Sequence, residues 1–197
     1  MLVLRDVTWD EYERFLEETL DHPGLRVAYD EGRLEVMSPS VEHEEYKDFV
    51  LRLVLALADT RGIPIETRGS ATWRRRSLRK GAEPDCCFYV ANAARIIGKR
   101  TIDLESDPPP DIVVEIDIAH ESLNKFSIHA ALGVPEIWRY DGTTVQFYER
   151  AGDTYHAVEA SRCLPGSTTE MVGEALELSK TRGQTAALTA FRLRMKG

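Results

Sequence analysis

The chain of 197 residues predicts a single mixed α/β domain carrying a helical C-terminal extension. Three patterns support that expectation. Asp111-Ile-Val-Val-Glu-Ile-Asp-Ile118 alternates with period two, as a strand does. Residues 41–60 repeat Val50, Leu51, Val54 and Leu57 at helical spacing behind an acidic first turn, which marks an amphipathic helix. Ile137-Trp-Arg-Tyr140, Val145-Gln-Phe-Tyr-Glu149 and Tyr155-His-Ala-Val158 are short strand-like runs set apart by Asp141-Gly142 and Gly152-Asp153, the punctuation of hairpins. Hydrophobic residues make up 43% of the chain, enough at this length to bury one core.

The elements follow in order. Thr8 or Asp10 caps a first helix with Tyr12, Phe15, Leu16 and Leu20 as its apolar stripe, and His22-Pro23-Gly24 stops it. Leu25 to Tyr29 and Arg33 to Met37 alternate around Asp30-Glu31-Gly32, a hairpin signal. Ser38-Pro39-Ser40 makes a turn and caps the long helix, and Arg61-Gly62-Ile63-Pro64 ends it. An extended stretch from Ile65 to Trp73 leads into a basic turn, Arg74-Arg-Arg-Ser-Leu-Arg-Lys80-Gly81. A strand runs from Asp85 to Val90 with Glu83-Pro84 at its mouth. After a loop, Pro108-Pro-Pro110 forces extended entry into the acidic strand. A helix from about Glu121 to Leu132 closes at Gly133 ahead of Pro135. The domain is expected to span residues 1–166. Residues 167–197 form the extension, basic at Arg182, Arg192, Arg194 and Lys196, with Leu188, Phe191 and Leu193 suited to packing or a dimer seam.

Several classes are excluded or disfavoured. Cys86 and Cys87 are adjacent and face opposite ways, Cys163 is distant, and no Cys-x-x-Cys occurs, so zinc-ribbon and thioredoxin readings fail. A net charge of −8 argues against a passive nucleic-acid coat but permits a local basic track. No apolar run is long enough to span a bilayer, and the start lacks signal-peptide features, so a cytoplasmic protein is expected. His43-Glu44-Glu45 and His120-Glu121 have Lys47 and Asn124 where a zinc-protease helix needs its second histidine. There is no Gly-x-Ser-x-Gly elbow. A glycosidase carboxylate pair would leave Lys125 and the basic turn unexplained.

The chemistry concentrates on the acidic strand. Ile112, Val114, Ile116 and Ile118 share one face and can pack on a helix, while Asp111, Glu115 and Asp117 share the other. Adjacent carboxylates raise one another's pKa, and a half-buried group of them stays ionised only near a metal, a lysine or an arginine. The strand therefore reads as the floor of a metal site. Asp85, directly after Pro84, begins a second strand, and Lys125 lies on the helix that follows the first.

The order Pro84-Asp85, Glu115, Lys125 resembles the PD-(D/E)XK nuclease superfamily, and more narrowly the bacterial Uma-two family, formerly a domain of unknown function. The resemblance rests on Asp30-Glu-Gly-Arg-Leu-Glu-Val-Met-Ser-Pro39 with His43, Glu83-Pro-Asp85, Pro110-Asp-Ile-Val-Val-Glu115, Lys125 through Gly133-Val-Pro-Glu-Ile-Trp138 to Asp141, and Leu164-Pro165-Gly166. It implies a restriction-endonuclease-like fold, a central mixed sheet flanked by helices, and Mg²⁺-dependent cleavage of phosphodiesters in DNA, with Mn²⁺ able to substitute. It also implies Asp85, Glu115 and Lys125 as catalytic residues, with Asp85 and Glu115 holding the metal. Hard carboxylate oxygens suit Mg²⁺ on independent grounds. Lys125 is expected to orient or deprotonate a water, or to stabilise the phosphoryl charge. The superfamily's lysine position, two residues after the glutamate, is here Asp117, and the lysine has moved to the next helix. His129 stands where a tyrosine is usual.

Asp117 is either a third metal ligand or the partner of Lys125 or an arginine. His43 and Glu35 are supporting candidates, each weighed against an ordinary structural role. Arg74, Arg75, Arg76, Arg79 and Lys80 are candidates for gripping a nucleic-acid backbone, weighed against a solvated turn. Two-strand cleavage implies a homodimer or higher homo-oligomer. The alternative expectation is a catalytically silent or regulatory DNA-associated module that keeps the fold; a structural or protein-interaction domain would need no divalent ion.

Overall fold

The computed structural model describes residues 1–19, 24–118 and 125–195. Two sheets and the helices between and around them make up the architecture. Strand β1 (Leu2–Leu4), the hairpin β2 (Arg26–Asp30) and β3 (Arg33–Met37), and the pair β5 (Trp73–Arg75) and β6 (Lys80–Ala82) form a five-stranded antiparallel sheet in the order β1-β3-β2-β6-β5. Strands β4 (Glu66–Thr67), β7 (Cys86–Tyr89), β8 (Ile112–Ile116), β9 (Glu136–Tyr140), β10 (Val145–Ala151) and β11 (Thr154–Val158) form a six-stranded sheet in the order β11-β10-β9-β8-β7-β4. That second sheet is mixed, because β8 and β9 run parallel. It is the expected central sheet; the five-stranded sheet is an addition to it.

The segment read as a basic turn instead supplies two strands of this added sheet, β5 and β6. Arg74 pairs in register with Gly81 and Arg75 with Lys80, around a short 3₁₀ turn at Arg76–Leu78. Gly81 is required there, since a Cβ at that position would collide with the Tyr12 hydroxyl.

Helix α1 (Trp9–Glu18) opens with a reciprocal capping box: Thr8 Oγ1 accepts from the Glu11 amide at 3.3 Å and Glu11 Oε2 accepts from the Thr8 amide at 2.7 Å. Its Trp9, Tyr12 and Leu16 cover one face of the five-stranded sheet through Val27, Tyr29, Leu34 and Val36. Helix α2 (Val41–Arg61) is capped by the Ser40 hydroxyl on the His43 amide at 3.2 Å and ends at Gly62, whose φ of 63° suits glycine. It packs with α5 (Thr169–Arg182) and α6 (Gln184–Arg194) on one face of the six-stranded sheet, against Ile112, Val114 and Ile116. The C-terminal helices therefore share this core, Leu176, Leu188 and Phe191 among them. A four-residue helix α3 (Ala93–Ile96) follows β7.

Helix α4 (Lys125–Leu132) fills the gap between the sheets. Its Ile128 and Leu132 share a core with Ala28 and Ala82 of one sheet and Cys87, Val113 and Ile137 of the other. The expected beginning of this helix near Glu121 falls outside the described residues, as do Leu20, His22-Pro23, His120, Asn124 and Lys196. All three cysteines are free; Cys86 and Cys87 face different cores, and burial pushes the Cys87 thiol up to about 12.

Candidate active site

The acidic face of β8 looks toward α4, away from α2. Cys86 pairs with Val114 and Cys87 with Val113, so continuing this antiparallel register sets Asp85 opposite Glu115. Asp85 is 3% exposed. Its amide donates to Val114 O at 3.0 Å, and its Oδ2 accepts from the Ile116 amide at 2.7 Å, which fixes the carboxylate across the strand end. Its Oδ1 is buried without a hydrogen bond. His43 Nε2 lies 3.1 Å away and Arg26 Nε 3.6 Å away, both at ion-pair distance from it. Unsatisfied buried polar atoms thus gather around one carboxylate oxygen, where an ion or water is called for.

Glu115 is 1% exposed. Both its oxygens are engaged: Oε2 accepts from Lys125 Nζ at 2.6 Å, and Oε1 lies 2.7 Å from His129 Nε2. Lys125 and His129 stand one turn apart on α4, so this helix presents two nitrogens to the strand glutamate. The structure accordingly brings together Asp85, Glu115, Lys125 and His43. Burial pushes the Lys125 pKa down, but Glu115, Asp85 and Asp117 push it further up, and the net result lies above its ordinary value. The ammonium is therefore a fixed cation. For Asp85, burial raises the pKa while His43, Lys125 and the Ile116 amide lower it; the lowering wins and the group stays ionised. His43 is raised overall: burial opposes its charge, and Asp85 and Glu44 favour it more strongly.

Asp117 meets an arginine, its Oδ2 accepting from Arg139 Nε at 2.7 Å. Asp111, just after the proline turn, is buried and structural: it accepts from the Val90 and Asn92 amides and from Asn92 Nδ2 at 2.7, 3.0 and 2.8 Å. Glu35, weighed as a supporting acid against an ordinary solvated strand residue, is buried and bonded to Arg33 at 2.7 Å. In the basic run, Arg76 pairs with Asp10 at 2.9 Å and with Glu13, Arg74 lies 3.8 Å from Glu13, Lys80 pairs with Asp30, and Arg75 donates to Leu104 O. Asp30 and Lys80 sit at the opposite end of β2 from Arg26, ~13 Å along the strand, so the run does not border Asp85. Arg79 makes no ion pair with a carboxylate among the described residues.

Sequence reasoning missed Arg26 and Glu83. Arg26 is 8% exposed and reaches both Asp85 and Glu44. Glu83, its pKa raised chiefly by burial, accepts from Thr72 Oγ1 at 2.5 Å and from the Val27 amide at 3.2 Å, tying β6 to β2 beside the site. The available signal was Arg26 itself, a charge at an alternating position of a strand otherwise apolar through Tyr29.

The donor set fits a hard divalent ion. Asp85 offers a buried oxygen without a hydrogen bond, and Glu115 opposite it would reach an ion on releasing an oxygen from Lys125 or His129. Among the described residues no three His, Cys, Asp or Glu side chains converge as ligands. Mg²⁺ suits such a partial site, since it keeps several waters and takes one or two carboxylates plus a phosphate oxygen.

An aspartate at the mouth of β7 and a glutamate on β8, facing a half-buried lysine on a mixed sheet flanked by helices, are the arrangement that the PD-(D/E)XK resemblance implies. The chain belongs to the Uma2 family, described as "Putative restriction endonuclease", whose pattern matches residues 9–182. A crystal structure of "a putative nuclease belonging to DUF820" from Anabaena variabilis ATCC 29413 shares the fold. It has a TM-score of 0.53 and 15% identity, with 92% of this chain and 99% of that one covered. No curated protein matches the chain. No described helix is long and apolar enough to cross a membrane.

Proposed function

We propose that this protein is a metal-dependent endonuclease hydrolysing phosphodiester bonds in DNA, with Asp85, Glu115 and Lys125 at its centre. The observation that carries this reading is the buried Lys125 ammonium, held at 2.6 Å by Glu115 in the field of Asp85 and Asp117. Asp85 and Glu115 would hold Mg²⁺ or Mn²⁺. The ion would lower the pKa of a bound water and neutralise charge developing on the phosphoryl oxygens. Lys125, held protonated, serves as a cation that stabilises the phosphoryl charge and orients the water rather than as a base. His129 fixes the second oxygen of Glu115, and His43, Lys125 and the Ile116 amide keep Asp85 ionised. Arg79 and its basic neighbours are the proposed backbone contacts, and a homodimer is the proposed assembly for cutting two strands.

A second reading has a specific observation behind it. Both oxygens of Glu115 are already engaged by Lys125 and His129, as in a silent module that has turned its metal site into a salt bridge. One assay separates the two: linear, supercoiled and single-stranded DNA incubated with and without Mg²⁺ or Mn²⁺, alongside Glu115→Ala. Ion-dependent cleavage lost in the variant supports the nuclease. No cleavage of any form, with DNA still bound, supports the silent module.

A further inference from the structure

The buried Arg26 and the half-buried Lys125 line one small cavity of about 20 Å³ together with Glu35 and Met1. That volume holds a single water or a single oxygen atom. Met1 is 70% exposed, so the cavity reaches solvent. The rest of the lining is the apolar Val27, Ala28 and Met37, so Arg26 and Lys125 are its cations and Glu35, bonded to Arg33, its one carboxylate.

Arg26 is only partly used by the protein. Nη1 donates to Leu25 O at 3.1 Å and Nη2 to Glu44 Oε1 at 3.3 Å, while buried Nε has no hydrogen-bond partner. A guanidinium acting only as a counter-ion presents its fork to one carboxylate in two short parallel bonds. Arg26 instead makes long, single approaches to two carboxylates, 3.3 Å to Glu44 and 3.6 Å to Asp85. Donors remain for a planar or tetrahedral oxyanion, and the adjoining cavity offers the space.

We propose that Arg26 is a substrate-binding residue that forms, with Lys125, a subsite for a non-bridging oxygen of a phosphodiester. This rests on the nuclease reading of Asp85, Glu115 and Lys125. Lys125 supplies a point charge from α4, and Arg26 supplies a directional fork from β2 on the opposite wall. The substrate phosphate would then be gripped from both the helix and the added sheet.

Inorganic phosphate is the probe, titrated into metal-free protein and followed by phosphorus NMR or calorimetry, so that no turnover is needed. Wild-type protein should bind phosphate saturably, and Arg26→Gln should bind it about tenfold more weakly or worse. Arg26→Lys keeps the charge without the fork and should fall between the two. Its urea midpoint certifies the fold, so it decides the matter if Arg26→Gln does not fold. Phosphate affinity that is absent in the wild type, or unchanged in Arg26→Lys and Arg26→Gln, overturns the proposal. With DNA, phosphate should inhibit cleavage competitively, and Arg26→Lys should blunt that inhibition by the factor seen in direct binding. Arg26-dependent phosphate binding in a protein that cleaves no nucleic acid would keep the subsite and remove the nuclease reading; cleavage with phosphate binding indifferent to Arg26 would do the reverse.

Discussion

Two fully buried glutamates sit at opposite ends of the parallel pair β8 and β9, and their surroundings could hardly differ more. Glu136 accepts from Trp138 Nε1, the Ser161 hydroxyl and the amides of Arg162 and Cys163, all neutral donors. It anchors the Leu164-Pro165-Gly166 turn to the sheet. Glu115 is held differently: the Lys125 ammonium takes one oxygen and the His129 ring the other, and Asp85 stands opposite with an unsatisfied oxygen. Burial alone therefore does not mark a functional carboxylate. Four neutral donors satisfy a charge in place, whereas in the proposed nuclease the Lys125 cation would give up its hold on Glu115 to an ion and a phosphate.

The contrast can be broken by experiment. In the proposed nuclease, Glu115→Gln should lower kcat by about 10³-fold or more, a loss of roughly 4 kcal/mol in transition-state stabilisation. Its fold should survive, which circular dichroism checks. Glu136→Leu should do the opposite. It strands several buried donors and should cost about 3 kcal/mol in urea denaturation, while the folded fraction keeps its metal affinity.

Two pH experiments sharpen the difference. Lys125 titrates above its ordinary value of 10.5, so its ion pair is intact below that pH and is lost only as pH rises through the higher folded value. The cleavage rate should change by less than about twofold as pH approaches 10.5; a steep rise there would make the lysine a base. Asp85 is held below its ordinary 3.8, so its contribution to stability is present above that value and is lost as pH falls through the lower folded one. The stability gap between wild type and Asp85→Asn should close under strong acid, as pH-dependent denaturation would show. Asp117→Ala should have the smallest effect, about 0.5–1 kcal/mol from a partly exposed pair with Arg139, with metal stoichiometry unchanged. A loss of metal binding in that variant would restore Asp117 as a ligand.

The sequence made the acidic strand legible because period-two alternation assigns faces without any tertiary knowledge. On that rule alone Glu115 separates from Val114 and Ile116, which fall with Ile112 on the apolar side. The caps at Thr8 and Ser40 were legible for a similar reason, since each bond spans only three residues. The added sheet was not legible. Its β2–β6 pairing joins Asp30 to Lys80 and Ala28 to Ala82, contacts about fifty residues apart that leave no local pattern. Arg26 was hidden with it, because its significance depends on which strand end faces Asp85. Glu136 lay inside a quoted motif, yet its role came from a turn at Ser161–Cys163 far along the chain.

Helix α4 is wedged between two sheets and also carries Lys125 and His129. The spacing of those sheets therefore sets where the nitrogens stand relative to Glu115, in the way a shim sets the gap between two plates. Trimming Ile128 or Leu132 would alter that gap from the side away from solvent. In the proposed nuclease an aliphatic residue that touches no substrate would tune the reacting groups, so core packing and chemistry are one constraint.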